Sequence, residues 1–291
     1  MSDIITKAVI PAAGLGTRML PIARTVPKEM LPIVDKPAIS YLVEEAAASG
    51  ITDILIVTGR NKSAIEDYFD YSPEYEEKLI SAGKGNLVKE LRSVCTKANI
   101  CFIRQLEPKG LGHAVYKAKA FTEDSPFAVL YGDDIIFSQT PVVRQLADLY
   151  EKYNLGVLGV KHVPKAQIMR YCTLDATLVS EKIYKVTDMI EKPAEDQIIT
   201  DLAILGRTIL KPEIFDVLEN TPPGAGGEIQ LTDAMKVIAN RQSMIACDFE
   251  GVRYDMGSKL GFLTANVEQG LRSREVEEEF RKYLKNLVGT L

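Results

Sequence analysis

Short, continuous apolar runs alternate with segments of helical period along this chain. Residues 8–10, 54–57, 100–103, 127–131 and 155–160 have the length and apolarity of buried strands. Between them, residues 37–49 are predicted to form a helix, with Asp35 as a candidate cap, Pro37 in the first turn and Gly50 as the stop. Ser63 and Glu66 have the spacing of a capping box that opens a second helix. Helical patterns also cover 113–121 and 142–153. Strands separated by helices of about ten to fifteen residues imply βαβ units and a mostly parallel sheet. Beyond Val163, strands are expected at 183–190 and 202–210 and helices at 212–218, 232–240 and 258–270. A charged amphipathic helix is expected from Ser273 to about Val288, and the Glu- and Lys-rich stretch 70–98 reads as a helical insertion between strands.

Composition bounds the answer without choosing it. A chain of 291 residues, 46% apolar and 26% charged, can bury a core without disulfides or a structural metal. With no linker, low-complexity tract or repeat, one domain with an appended C-terminal helical part is the expected organisation. A net charge of −5 spread along the chain offers no pull towards nucleic acid or acidic membrane. The longest apolar runs fall far short of the ~20 residues that span a bilayer, and the N-terminal residues lack a basic, cleavable leader, so a cytoplasmic protein is expected. Cys95, Cys101, Cys172 and Cys247 form no C-x-x-C pair, and only His113 and His162 could assist them. A zinc site or disulfide framework is therefore not expected, and the cysteines read as buried small hydrophobes.

Candidate chemistry begins directly after the first strand. Ala12-Ala13-Gly14-Leu15-Gly16-Thr17-Arg18 offers two glycines whose backbone N–H groups can turn towards an anion. A dinucleotide fingerprint would need glycine at Met19, and no Walker A pattern occurs. A glycine pair after a strand is by itself as consistent with a tight turn. Arg18, Arg24, Lys28 and Lys36 then crowd into the next residues, stiffened by Pro21, Pro27 and Pro32. Cations spaced this way, beyond a phosphate-sized loop, suit a triphosphate better than a carboxylate.

Three carboxylate-bearing segments follow. Gly132-Asp133-Asp134 ends a buried strand, where ligands of open α/β sheets sit; Asp133 is the candidate Mg²⁺ ligand and Asp134 reads as the N-cap of a following helix. Asp255, before Met256-Gly257, is either a turn residue or a second metal ligand. Glu191-Lys192 is either a surface ion pair or a sugar- and phosphate-binding pair. No G-x-S-x-G elbow is present, and His113, among apolar neighbours, reads as structural rather than as a general base.

Taken together, residues 11–18, Pro27-Lys28-Glu29-Met30-Leu31-Pro32, residues 108–114 and residues 222–233 resemble the signature of sugar-1-phosphate nucleotidyltransferases, and within them the bacterial UTP–glucose-1-phosphate uridylyltransferases. The resemblance covers nearly the whole chain. It implies a Rossmann-like, glycosyltransferase-A type α/β fold with a mixed, mostly parallel sheet flanked by helices, and the conversion of UTP and glucose 1-phosphate to UDP-glucose and pyrophosphate with Mg²⁺. It divides the chain into a nucleotide-binding part (1–160), a sugar-binding part (161–257) and a C-terminal helical part (258–291). By similarity, Ala13, Gly14, Gly16, Glu29, Gln105 and Gly110 meet the nucleotide and Arg18, Lys28 and Lys192 serve catalysis. Glu191 and the backbone at Cys172 meet the sugar, and Asp133 and Asp255 hold the metal. A homodimer or homotetramer is implied as well.

Departures from the family pattern fall at the sugar end. Arg170-Tyr171-Cys172 stands where Arg-Tyr-Gly is usual, Thr200-Asp201 where Ser-Asn is usual, and Tyr131 where an aliphatic residue is common. A Cβ at 172 is expected to crowd the sugar or forbid a positive φ, and Asp201 to add negative charge beside it. Transfer to another sugar 1-phosphate, use of dTTP, or a weakly catalytic nucleotide-sugar-binding paralogue are the alternatives.

Overall fold

The structure is a computed structural model that describes residues 4–290, apart from the side chains of Val94 and Cys95. Its strands are β1 (Lys7–Pro11), β2 (Pro32–Ile33), β3 (Lys36–Pro37), β4 (Asp53–Thr58), β5 (Asn99–Arg104), β6 (Phe127–Leu130), β7 (Asp134–Phe137), β8 (Val157–His162), β9 (Cys172–Ser180), β10 (Ile183–Glu191), β11 (Leu202–Leu210), β12 (Met244–Asp248) and β13 (Val252–Asp255). Nine of them form one sheet in the order β5-β4-β1-β6-β11-β8-β12-β10-β9. The β5-β4-β1-β6 half is parallel throughout, whereas β11 runs antiparallel to both its neighbours and only β8–β12 is parallel in the second half.

The continuous apolar runs are explained by burial on both faces. Along β1, Ala8 and Ile10 enter the core on one side of the sheet and Val9 the core on the other. In β4, Ile54 and Ile56 face the first core, Leu55 and Val57 the second. Helix Ala38–Ala48 covers the first face with Ile39, Leu42, Val43 and Ala46, an i, i+3, i+4, i+7 stripe. Helix Leu231–Gln242 covers the second with Leu231, Ala234, Met235, Ile238 and Ala239. Each such fully buried Leu or Ile contributes ~1.5–3 kcal/mol.

One buried ion pair ties these layers to the site. Arg207 of β11 gives both Nε and Nη2 to Glu45 of helix Ala38–Ala48, at 3.0 and 2.6 Å, and Nη1 to the Asp134 carbonyl at 2.9 Å. The turn that carries Asp133 and Asp134 is thus fastened from below.

Helix 142–153 and strand 202–210 occupy the expected residues. Other expectations need correction. Asp35 does not cap helix Ala38–Ala48; Pro37 is the N-cap, and Asp35 lies between β2 and β3. Ser63 is already helical, with Lys62 at the cap, and Glu66 accepts from Thr58 Oγ1 at 3.2 Å instead of closing a capping box. Asp134 caps no helix: it opens β7, which pairs antiparallel with β13 and places Asp134 opposite Asp255. The 113–121 pattern is two short helices, Leu111–Tyr116 and Lys119–Thr122. Cys101 is exposed on β5, whereas Cys172 and Cys247 are buried; these three are free thiols.

Candidate active site

The loops that follow β1, β4, β5 and β6 gather at the carboxyl ends of the parallel strands. The Ala12 N–H donates to the Val57 carbonyl at 2.8 Å, which pins the start of the glycine loop to β4. Gly16 turns with φ of 66°, a left-handed conformation that costs glycine little, and leads into the 3-10 turn Thr17–Met19. Buried Met19 anchors that turn and leaves Arg18 exposed. Two more short turns, Ile22–Arg24 and Lys28–Met30, carry the proline-rich segment back beneath the loop.

There Lys28 Nζ donates to Asp133 Oδ2 at 2.5 Å. Arg18 bridges two carboxylates, with Nη2 3.6 Å from Asp133 Oδ2 and Nη1 3.1 Å from Asp255 Oδ2. The convergence needs a glycine at 257. A Cβ there would stand 2.5 Å from Asp133 Oδ2, 2.6 Å from Arg18 Nη2 and 3.0 Å from Asp255 Oδ1. Burial favours the neutral form of Asp133, but Lys28, Arg18 and Arg253 outweigh it and hold its carboxyl below the ordinary range. Burial likewise opposes the charge on Lys28, yet Asp133 and Glu29 raise its ammonium above the ordinary value. The result is a preorganised, alternating cluster of cations and carboxylates.

This cluster borders a cavity of about 380 Å³ lined by Ala13, Gly14, Gly16, Lys28, Glu29, Gln105, Gly110 and Asp133. Every residue expected at the nucleotide therefore faces one space. Beneath it lies a pair that sequence reasoning missed: Lys62 Nζ donates to Glu29 Oε2 at 2.6 Å, both side chains being buried. Burial raises the Glu29 pKa and lowers that of Lys62, while Glu29 Oε1 has no partner among the described residues. Lys62 follows β4 at the sheet's carboxyl end, and that position was its only signal.

A second cavity of about 140 Å³ adjoins the first, and Leu111 and Tyr131 line both. Glu191, Cys172, Tyr171 and Thr232 also face it. Glu191 Oε2 accepts from Thr232 Oγ1 at 3.0 Å, and burial raises its pKa. Cys172 pairs with Glu191 across β9 and β10 in extended backbone, so the expected conflict with a positive φ does not arise. Its side chain, 2% exposed, belongs to the second core. Arg253 Nη2, missed as a partner, lies 2.5 Å from Asp134 Oδ1, and its Nη1 donates to Tyr171 Oη at 3.1 Å.

Lys192, Asp201 and Lys36 stand apart from the cation–carboxylate cluster. Lys192 takes a left-handed φ of 46°, and its exposed side chain lines neither cavity, although its charge bears on Glu191. Asp201 does not reach the smaller cavity; it is exposed and lies 2.8 Å from His162 Nδ1. Lys36 turns to Glu44 at 2.6 Å and lies over the Tyr41 ring, outside the phosphate-sized loop. Among the described residues no three His, Cys, Asp or Glu side chains form a metal cluster, and no helix is long and apolar enough to cross a membrane.

A glycine loop and a cluster of cations and carboxylates at the carboxyl ends of parallel strands, with a second cavity adjoining, define an α/β transferase that handles nucleotide phosphates. The chain belongs to the nucleotidyl transferase family, whose pattern it matches over residues 7–270. It is 50% identical over 284 residues, 98% of this chain and 97% of the relative, to the UTP–glucose-1-phosphate uridylyltransferase of Bacillus subtilis strain 168. A second protein of that strain, the UTP–glucose-1-phosphate uridylyltransferase YngB, is 49% identical, with 99% of this chain and 97% of the relative covered. Among solved structures, UDP-glucose pyrophosphorylase complexed with UDP-glucose superposes with a TM-score of 0.86 at 42% identity, covering 93% of this chain and 100% of that one. UTP-bound UGPase from Acinetobacter baumannii gives 0.90 at 35% identity, covering 98% and 100%.

Proposed function

We propose that this protein transfers a uridylyl group from UTP to glucose 1-phosphate, giving UDP-glucose and pyrophosphate by direct in-line displacement. The observation that carries the proposal is the meeting of Lys28, Arg18, Asp133 and Asp255 beside two adjoining cavities, one lined by the glycine loop and one by Glu191. The identity to curated uridylyltransferases over nearly the whole chain supports it.

The chemistry asks little of a protein base. A sugar phosphate is already a nucleophile at neutral pH, so the protein must bring two mutually repulsive anions into line and stabilise charge as pyrophosphate leaves. Arg18 and Lys28 face the departing phosphates, Lys192 steadies the attacking sugar phosphate, and Glu191 accepts hydrogen bonds from sugar hydroxyls. Ala13, Gly14, Gly16, Glu29, Gln105 and Gly110 hold the uridine side. Asp133 and Asp255 fit magnesium, since two hard oxygen donors leave positions for water and phosphate oxygens, as this ion prefers. When bound, the ion neutralises phosphate charge and polarises the phosphate under attack.

In this reading residues 1–160 serve the nucleotide, 161–257 the sugar and 258–291 assembly, in the cytoplasm where UTP is supplied. A homodimer or homotetramer fits the exposed Leu260, Leu263 and Val267 of helix Lys259–Gly270; a monomer in sedimentation would overturn that part. Pyrophosphate release from UTP with glucose 1-phosphate, against dTTP and galactose 1-phosphate, tests the function. The UTP and glucose 1-phosphate pair is expected to be fastest, and no release from any pair would leave only a binding protein.

A further inference from the structure

Gln105 sits on the wall of the larger cavity, just beyond β5, and its amide nitrogen is committed twice. Nε2 lies 3.1 Å from the Gly110 carbonyl oxygen and 2.8 Å from His113 Nδ1. A main-chain carbonyl can only accept, so the amide group on that side is the NH₂. His113 Nδ1, facing the same NH₂, must then present its lone pair and carry its proton on Nε2. Gln105 Oε1 is left without a protein partner among the described residues.

We propose that His113, held neutral with Nδ1 as an acceptor, is a positioning residue that fixes the Gln105 amide and so makes this wall of the cavity an acceptor of hydrogen bonds. A base that presents an N–H there is admitted, as uracil or thymine does at N3. Cytosine, whose N3 is itself an acceptor, sets one lone pair against another. The neighbourhood sustains the neutral ring: burial is the largest influence, and Lys117 and Lys109 add to it, against the main chain and carboxylate of Glu107. An imidazole protonated on both nitrogens would set N–H against N–H and favour the flipped amide. The proposal rests on uridine binding in this cavity and assigns the pyrimidine choice to a residue that touches no substrate.

Calorimetric binding of UTP and CTP, without sugar phosphate, tests it in wild type, His113→Phe and His113→Gln. Wild type is expected to favour UTP on the order of tenfold to a hundredfold. His113→Phe, which keeps the ring's bulk without an acceptor, should lose most of that preference, mainly through weaker UTP binding. His113→Gln, whose amide oxygen can accept from Gln105, should restore it. An unchanged UTP-to-CTP ratio in His113→Phe overturns the proposal, as does equal binding of both nucleotides by wild type. Imidazole nitrogen-15 shifts of the unaltered protein provide a second test that needs no variant: a proton on Nδ1 overturns it. Failure of catalysis with normal discrimination would instead count against the reaction and leave His113's role standing.

Discussion

Lys28 and Asp133, 105 residues apart in sequence, meet at 2.5 Å on the wall of the larger cavity. The pair joins the proline-stiffened segment after β1 to the turn after β6, and Arg18 extends it to Asp255. Cations already held in place by carboxylates cost no reorganisation when an anionic substrate develops charge beside them.

Lys28→Ala should therefore depress turnover far more than stability. Loss of one preorganised charge of this kind lowers turnover on the order of 10²–10³-fold, while Asp133 keeps Arg18 as a partner at 3.6 Å. Pyrophosphate release and a melting curve on the same sample check it. Near-normal turnover in the folded variant removes Lys28 from the mechanism.

Asp133→Asn should raise the magnesium concentration needed for half-maximal turnover by at least about tenfold. Chelation should abolish turnover in wild type, and added magnesium restore it. Asp255→Asn should have the smaller effect, because Asp133 lines the larger cavity and Asp255 does not. An unaltered magnesium titration in Asp133→Asn would assign the metal elsewhere.

Glu191→Gln separates stability from sugar binding. Burial raises the Glu191 pKa above its ordinary 4.5, against Thr232 and Lys192. A carboxyl raised by the fold stabilises the protein below pH 4.5, and that contribution is lost as pH climbs through the folded value. At neutral pH the amide, which can still accept from Thr232, should leave the melting temperature equal or higher. The KM for glucose 1-phosphate should rise. A lowered melting temperature with an unchanged KM would make Glu191 structural.

Much of this was legible in the chain, for identifiable reasons. Residues 142–153 and 202–210 carry undiluted periods, a one-sided helical stripe and a strand buried on both faces, and they matched the structure residue for residue. β9 was missed because everything after Leu174 is partly or fully exposed, leaving no apolar run. β7 was hidden because the strand it pairs with, β13, lies more than a hundred residues on, and Asp134 in isolation resembles a helix cap. The glycine loop, Asp133 and Glu191 stood out because each ends a strand with a turn residue or a carboxylate. Lys62 did not, since a lysine before a helix reads as solvated until Glu29 is seen above it.

Lys62→Met should accordingly cost about 3–5 kcal/mol by leaving the Glu29 carboxylate buried without its cation. Denaturant unfolding measures it, and Glu29→Gln combined with Lys62→Met should recover part of the loss. A cost below about 1 kcal/mol, the range of a surface pair, would mean that water reaches the carboxylate.

In the proposed reaction the cradle aligns two bound substrates and forms no bond of its own to the uridylyl group. Exchange of labelled pyrophosphate into UTP, followed in magnesium with the sugar substrate first withheld and then added back as UDP-glucose, tests it most directly. No exchange is expected until UDP-glucose is present, and rapid exchange thereafter. Label entering UTP in the absence of any sugar compound would reveal a uridylylated protein and contradict direct displacement.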